Sequence, residues 1–259
     1  LWGKLYGQWL CEGAVFVYDF ERFAADKILP MFKQYNITTF CAPPTMYRMF
    51  IKQDLSKYDL SSIKHATSAG EALNPEVFKC FEEHTGLKLN EGFGQTEMTL
   101  GIASLVGSPI KIGSMGKVTP GYDIVLLNDN NEEVEDGISG EICIRTSEKI
   151  PCGIFLGYYN DEERTKEVWH DGYYHTGDLA WRDEDGYFWY IGSAADVIKS
   201  SGYRIGPFEV ESSIMELPYV LECGVSAVPD EVRGQVVKAS VVLVPGKEPS
   251  EDLKKEIQD

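Results

Sequence analysis

The sequence predicts an α/β chain: a parallel-sheet β-α subdomain, then a β-rich subdomain, then a truncated small α+β C-terminal domain. Three observations carry this. Short apolar runs alternate with helix-spaced segments over residues 13 to 92, closely spaced strands and polar turns fill 101 to 191, and the pattern changes again after Gly192. The expected boundaries are therefore 1–100, 101–191 and 192–259.

In the first part the strand candidates are Ala14–Tyr18, Ile37–Cys41, Lys64–Ser68 and Leu87–Asn90. Between them, Phe23, Ile28, Phe32 and Tyr35, then Met46, Met49 and Phe50, then Val77, Phe78 and Phe81 recur at helical spacing. Asn74-Pro75 reads as an N-cap followed by proline at the first helical position, and Gly86 as the stop. Strand-helix alternation of this kind builds a largely parallel sheet, whose ligands gather at the C-terminal ends of the strands.

In the second part the runs Val125–Leu127, Glu141–Arg145 and Tyr187–Ile191 are separated by Asn128–Asn131, Asp136-Gly137 and Asp183–Gly186, residues that tolerate positive φ in tight turns. The third part offers a short strand at Val197–Lys199 and a helix carrying Phe208, Val210, Ile214 and Met215. Strands at Gly224–Val228 and Val236–Val244 and a helix starting at Ser250 follow.

Composition removes whole classes of function. With 24 Lys+Arg against 41 Asp+Glu, the chain carries a formal charge of −17 and repels phosphate backbones and anionic lipid. Nucleic acid is therefore not an expected partner. No apolar run approaches the roughly 20 residues of a membrane-spanning helix, and Leu1–Gly13 lacks the plan of a secretion signal. The six cysteines are scattered without a C-x-x-C pair, which suits reduced thiols and a cytoplasmic setting better than a disulfide framework or a metal cluster.

Four segments could carry chemistry. Thr67–Leu73 leaves a strand, turns at Gly70 and enters a helix, so the main chain can approach a flat ligand; Glu71 can equally be a solvated side chain. Glu91–Glu97 combines Gly92, Phe93, Gly94, Gln95 and Thr96 after the next strand. Phe93 could stack on a base or be core, Thr96 could bond a phosphate oxygen, and Glu97 could hold a hard cation or face water. Tyr174–Leu179 sets Asp178 after a glycine, where one carboxylate can accept from two vicinal hydroxyls; His175 reads as a packed or hydrogen-bonded residue rather than a base. Ser200–Gly206 offers backbone at Gly202 and a guanidinium at Arg204, with Arg233 a second cation.

Taken in order, these four segments resemble the adenylate-forming superfamily of acyl-CoA synthetases, peptide-synthetase adenylation domains and luciferases. Trp2-Gly3-Lys4, Phe40–Arg48 and Ile205–Glu211 look most like the medium-chain acyl-CoA synthetases. The resemblance implies an AMP-forming acid–thiol ligase that uses ATP, Mg²⁺ and CoA to join a carboxylic acid to AMP and then to CoA. By the same likeness Gly70, Glu71 and Ala72 border the adenine, Glu91, Gly92 and Phe93 its other side, with Gly94 and Gln95 beside them. Thr96 meets the α-phosphate, Glu97 the magnesium, and Asp178 the ribose; Thr96 and Glu97 count as the catalytic pair. Ser201, Gly202, Tyr203, Arg204 and Arg233 contact CoA.

Gly94 stands where acetate-specific relatives carry a tryptophan that closes the acyl pocket, so a medium-chain, branched or aryl acid is expected. Each buried methylene of such an acid favours binding by about 0.8 kcal/mol. Three departures from the family pattern stand out. The lysine-bearing phosphate loop and the C-terminal lysine that the family uses in adenylation are not in these 259 residues. Relatives also read G-R-x-D-D where this chain reads Gly192-Ser193-Ala194-Ala195-Asp196, replacing the ribose-binding arginine and the hinge aspartate, now Ala195.

The expectation is thus a portion of an acyl-CoA synthetase, itself incompetent for adenylation, with homo-oligomerisation left open. Two alternatives remain. One is an adenylation enzyme that loads a carrier protein, which Arg204 and Arg233 disfavour. The other is a non-catalytic nucleotide-binding or subunit-assembly module.

Overall fold

A computed structural model describes residues 6–258. The Trp2-Gly3-Lys4 resemblance lies outside the described residues. Seven α-helices and fourteen strands follow in order among the described residues. They are α1 (Gly7–Leu10), α2 (Ala25–Gln34), β1 (Thr39–Ala42), α3 (Pro44–Ile51), β2 (His65–Ala69), α4 (Pro75–Thr85) and β3 (Leu89–Phe93), then β4 (Ile102–Ala103), β5 (Lys117–Val118), β6 (Ile124–Leu127) and β7 (Gly140–Arg145). After these come α5 (Glu162–Val168), β8 (Trp169–His170), β9 (Tyr173–Arg182), β10 (Phe188–Ser193), β11 (Ile198–Ser200) and β12 (Tyr203–Ile205), and finally α6 (Pro207–Met215), β13 (Val220–Asp230), β14 (Gly234–Leu243) and α7 (Glu251–Gln258). None of these helices is long and apolar enough to cross a membrane.

Three sheets form, of order β1-β2-β3-β4-β5, β10-β9-β7-β6 and β12-β11-β14-β13. β1, β2 and β3 are parallel, whereas β4 and β5 join antiparallel. The first sheet therefore runs on to Val118, past the change of sequence pattern at residue 101. The run Ala14–Tyr18 is not a strand. Its apolar residues read as β, but no ladder partner is present for them among the described residues, and Phe16, Val17 and Tyr18 are exposed.

The chain folds as two compact units. One comprises the chain up to Val125 with Cys143–His175 and Arg182–Trp189; the other comprises Leu126–Ile142, Thr176–Trp181 and the chain from Tyr190 onward.

In the first unit Leu29, Phe32, Tyr47, Phe50, Phe81 and Leu89 are buried in one hydrophobic cluster. Each such side chain contributes roughly 1.5–3 kcal/mol relative to exposure. Edge-to-face pairs refine the packing: Phe32 meets Phe40 at 4.9 Å and Tyr47 meets Phe81 at 5.1 Å between ring centres. The Tyr47 hydroxyl donates to the Thr67 carbonyl at 3.0 Å, which fixes α3 against β2. The α4 signals hold as read: the Asn74 side chain accepts from the Glu76 N–H at 2.8 Å, Pro75 starts the helix, and Gly86 ends it at φ 69°.

In the second unit, Leu179, Ile191 and Val197 form a small core with Trp181 packed against it. β11 and β12 make a two-residue hairpin in which Lys199 faces Arg204 and Ser200 faces Tyr203. Its turn residues, Ser201 and Gly202, both have positive φ, as this tight hairpin geometry requires.

Candidate functional site

The parallel register of β2 and β3 pairs Ser68 with Glu91 and Ala69 with Gly92. β2 ends at Ala69 and β3 one residue past this pairing, at Phe93, so the turn at Gly70–Ala72 and the chain from Glu91 to Glu97 lie at the same end of the sheet. Gly70 has φ +100°, a conformation that glycine adopts without strain. Glu91 is buried, and its Oε1 accepts from the Leu73 backbone N–H at 3.0 Å. Burial raises its carboxyl to about 8, with the Leu73 hydrogen bond pulling the other way.

Glu71 is held from α3. The Thr45 hydroxyl donates to its two carboxylate oxygens at 2.7 and 3.0 Å, Arg48 lies 3.7 Å away, and Arg48 also donates to the Thr45 hydroxyl at 2.9 Å. With its side chain tied back, the turn at residues 70–72 can present main-chain groups to a ligand. Glu71 is thus engaged rather than merely solvated.

Farther along, Tyr174 donates to the Gln95 Oε1 at 2.8 Å, and Tyr158 donates to the Glu97 Oε1 at 3.0 Å. Burial, then the bond to Glu97, pushes the Tyr158 hydroxyl above its ordinary range, so it stays a donor. The Phe155 N–H donates to the Glu97 carbonyl and the Thr99 N–H to the Gly153 carbonyl, fixing the strand of chain that carries them. Thr96 is exposed, and Phe93 and Glu97 are half-buried. A half-buried carboxylate with one oxygen engaged by a phenol retains a second hard oxygen, which fits an Mg²⁺ ligand. A Cβ on Gly94 would lie 3.0 Å from the Thr99 carbonyl oxygen and 3.3 Å from the Leu100 Cα, so this glycine sits tight against backbone.

His175 is buried, stacked on His170 at 3.9 Å and with Nδ1 at 3.4 Å from the Cys143 sulfur. It is a packed histidine, as the sequence suggests.

In the second unit Asp178 lies in β9, and its Oδ1 accepts from the Tyr190 hydroxyl at 2.9 Å. Gly177 before it is bonded on both sides: its N–H donates to the Glu141 carboxylate at 2.8 Å and its carbonyl accepts from the Ala194 N–H at 2.8 Å. Ser193 reaches the same carbonyl at 3.5 Å, and Ala195 is exposed.

The residues expected at CoA come together in this unit. Ser200 pairs with Gly234, and the Ser201 N–H donates to the Arg233 carbonyl at 3.0 Å, which brings the 201–204 hairpin beside Arg233. Asp230 fixes that turn by accepting from the Val232 and Arg233 N–H groups, at 3.0 and 2.7 Å, and those bonds hold its carboxyl below the usual range. Arg204 is paired with Asp129 at 2.6 Å, and Tyr203 is 74 % exposed.

Sequence reasoning missed the residues that hold these groups: Thr45 and Arg48 for Glu71, Tyr158 for Glu97, Tyr174 for Gln95 and Tyr190 for Asp178. Their partners lie as far as 61 and 79 positions away for Glu97 and Gln95, beyond any local spacing signal.

Glycine-lined turns at the ends of parallel strands, backed by carboxylates with fixed partners, stand where proteins with open α/β sheets take their ligands. Comparison with known proteins gives the particular family. A profile described as "AMP-binding enzyme" matches residues 4–159, more than half of the chain, and one described as "AMP-binding enzyme C-terminal domain" matches 209–259. Acyl-coenzyme A synthetase ACSM3, mitochondrial, of Mus musculus is 42 % identical over 260 aligned residues, 100 % of this chain and 45 % of the relative. Uncharacterized acyl--CoA ligase YtcI of Bacillus subtilis is 45 % identical over 245, 94 % of this chain and 46 % of that protein. Among solved structures, the anthranilate CoA ligase AuaEII in complex with anthranoyl-AMP aligns with a TM-score of 0.90 at 31 % identity, covering 98 % of this chain and 49 % of that one. The chain belongs to the AMP-binding enzyme family. It spans less than half the length of these relatives.

Proposed function

We propose that the chain is the nucleotide- and CoA-handling portion of an ATP-dependent acyl-CoA synthetase. The whole enzyme would form an acyl-AMP from a medium-chain, branched or aryl carboxylic acid and pass the acyl group to CoA. The observation that carries this reading is the register Ser68 to Glu91 and Ala69 to Gly92, with Glu91 bonded to Leu73, which sets two motif segments at one sheet end. The relatives' names support the activity, and the anthranoyl-AMP in complex with AuaEII supports an acyl-adenylate of an aryl acid.

In this reading the backbone at Gly70, Glu71 and Ala72 borders one side of the adenine and Glu91, Gly92 and Phe93 the other. Gly94 and Gln95 lie beside them on the nucleotide, and Gly94 also borders the acyl pocket. Thr96 bonds the α-phosphate, and Glu97 holds Mg²⁺, which when bound offsets phosphate charge. Asp178 takes the ribose hydroxyls. Fixed donors around developing negative charge stabilise the adenylation transition state while the carboxylate is held in line. Ser201, Gly202, Tyr203, Arg204 and Arg233 serve CoA; a phosphate would compete with Asp129 for the Arg204 fork. Ala195 marks the hinge, and the proposed organisation is 1–100, 101–191 and 192–259.

The cytoplasmic placement is supported by the six free cysteines, whereas the ACSM3 relative is named as mitochondrial. One observation favours a second reading, a non-catalytic nucleotide-binding module: Ser193 and Ala195 stand where the family pattern has arginine and aspartate. Titration calorimetry with a non-hydrolysable acyl-AMP mimic, ATP and CoA separates the two. A synthetase portion binds the mimic more tightly than ATP and also binds CoA; an assembly module binds none of them, and a nucleotide module ignores CoA.

A further inference from the structure

Asp178 has its backbone and its side chain fixed by different neighbours. The backbone is fixed through Gly177, bonded to Glu141 and Ala194, and by the Asp178 N–H donating to the Thr176 hydroxyl at 3.1 Å. That hydroxyl in turn donates to the Ile142 carbonyl at 2.7 Å. The side chain is met by the Tyr190 phenol at 2.9 Å. Tyr190 is itself restrained, because its ring lies edge-on to Phe208 of α6 at 6.4 Å.

We propose that Tyr190 is a positioning residue that holds the Asp178 carboxylate in the orientation that reads a ribose. The inference rests on the reading of Asp178 as the ribose carboxylate and adds the residue that makes it selective. A carboxylate receiving two vicinal hydroxyls must keep one torsion, and each side-chain hydrogen bond narrows the torsions an aspartate samples. A phenol–carboxylate bond is charge-assisted, and the phenol's ring allows it little freedom once packed. Ser193 does not supply this restraint: its hydroxyl goes to the Gly177 carbonyl, not to Asp178. Burial and the Asp178 charge push the Tyr190 hydroxyl well above its ordinary value, so it remains a donor at any working pH.

The test compares two ligands on the 259-residue chain, an acyl-sulfamoyl adenosine and its 2′,3′-dideoxyribose counterpart, by calorimetry. Wild type should prefer the hydroxyl-bearing compound by about tenfold or more, the worth of a hydrogen bond to a charged group. Tyr190→Phe keeps the ring and removes only the hydroxyl. It should bring the preference below about threefold while leaving affinity for the dideoxy compound unchanged, a pattern that general loss of folding does not give. Asp178→Asn should likewise lose the preference. If Tyr190→Phe keeps the wild-type ratio while Asp178→Asn loses it, Tyr190 has no positioning role and the inference alone fails. If wild type shows no preference, or binds neither compound, the ribose reading of Asp178 fails and takes the inference with it.

Discussion

The Glu91 carboxyl is buried within 3.0 Å of the Leu73 backbone nitrogen, joining the end of one parallel strand to the turn that leaves its neighbour. One short bond thus ties two segments that are separated by 18 residues in sequence. It also makes the junction sensitive to pH.

Glu91 holds its proton up to about 8 in the folded chain, whereas an exposed glutamate releases it near 4.3. Between those values the folded state binds more protons than the unfolded one. This contribution is therefore complete below about 4.3 and is lost as pH rises through about 8, at up to about 1.4 kcal/mol per pH unit. Urea unfolding of wild type and Glu91→Gln from pH 5 to 8.5 should show the variant gaining on wild type as pH rises. Parallel pH profiles would remove Glu91 as the cause.

Gly94→Trp should narrow the acyl preference. Its Cβ meets the Thr99 and Leu100 backbone, so the substitution should also cost about 1–3 kcal/mol of stability through overpacking. The checks are a urea midpoint and the ratio of affinities for octanoyl- and acetyl-AMP mimics. That ratio should fall several-fold; an unchanged ratio in a folded variant argues against Gly94 as a pocket residue.

Ser193→Arg should restore a charged donor beside the ribose and tighten binding of the acyl-AMP mimic by about tenfold or more, the effect of one charge-assisted hydrogen bond. Ala195→Asp is exposed and should leave that affinity within about threefold. Calorimetry on both variants separates the two substitutions, and equal affinity of Ser193→Arg and wild type contradicts the assignment.

Much of this architecture is legible in the sequence because its signals are local. Asn74, Pro75 and Gly86 mark α4 through capping chemistry that depends on a few neighbouring residues. The Ser201-Gly202 hairpin turn, by contrast, shows only in the structure, where both residues have positive φ. Ala14–Tyr18 misleads because β-branched composition reports a tendency, and a strand exists only where a partner completes its ladder. The site is legible to the extent that glycines and carboxylates cluster within each motif. Thr45, Tyr158, Tyr174 and Tyr190 are not, since each acts from another element and its role arises only when the sheets bring it to a carboxylate or amide.

Hydrogen exchange of the chain with and without the acyl-AMP mimic tests the central claim most directly. Ligand-dependent protection should concentrate in the amides of residues 70–73 and 91–97, the two segments that Glu91 joins. Saturating mimic that leaves both segments exchanging at their ligand-free rates would contradict the account.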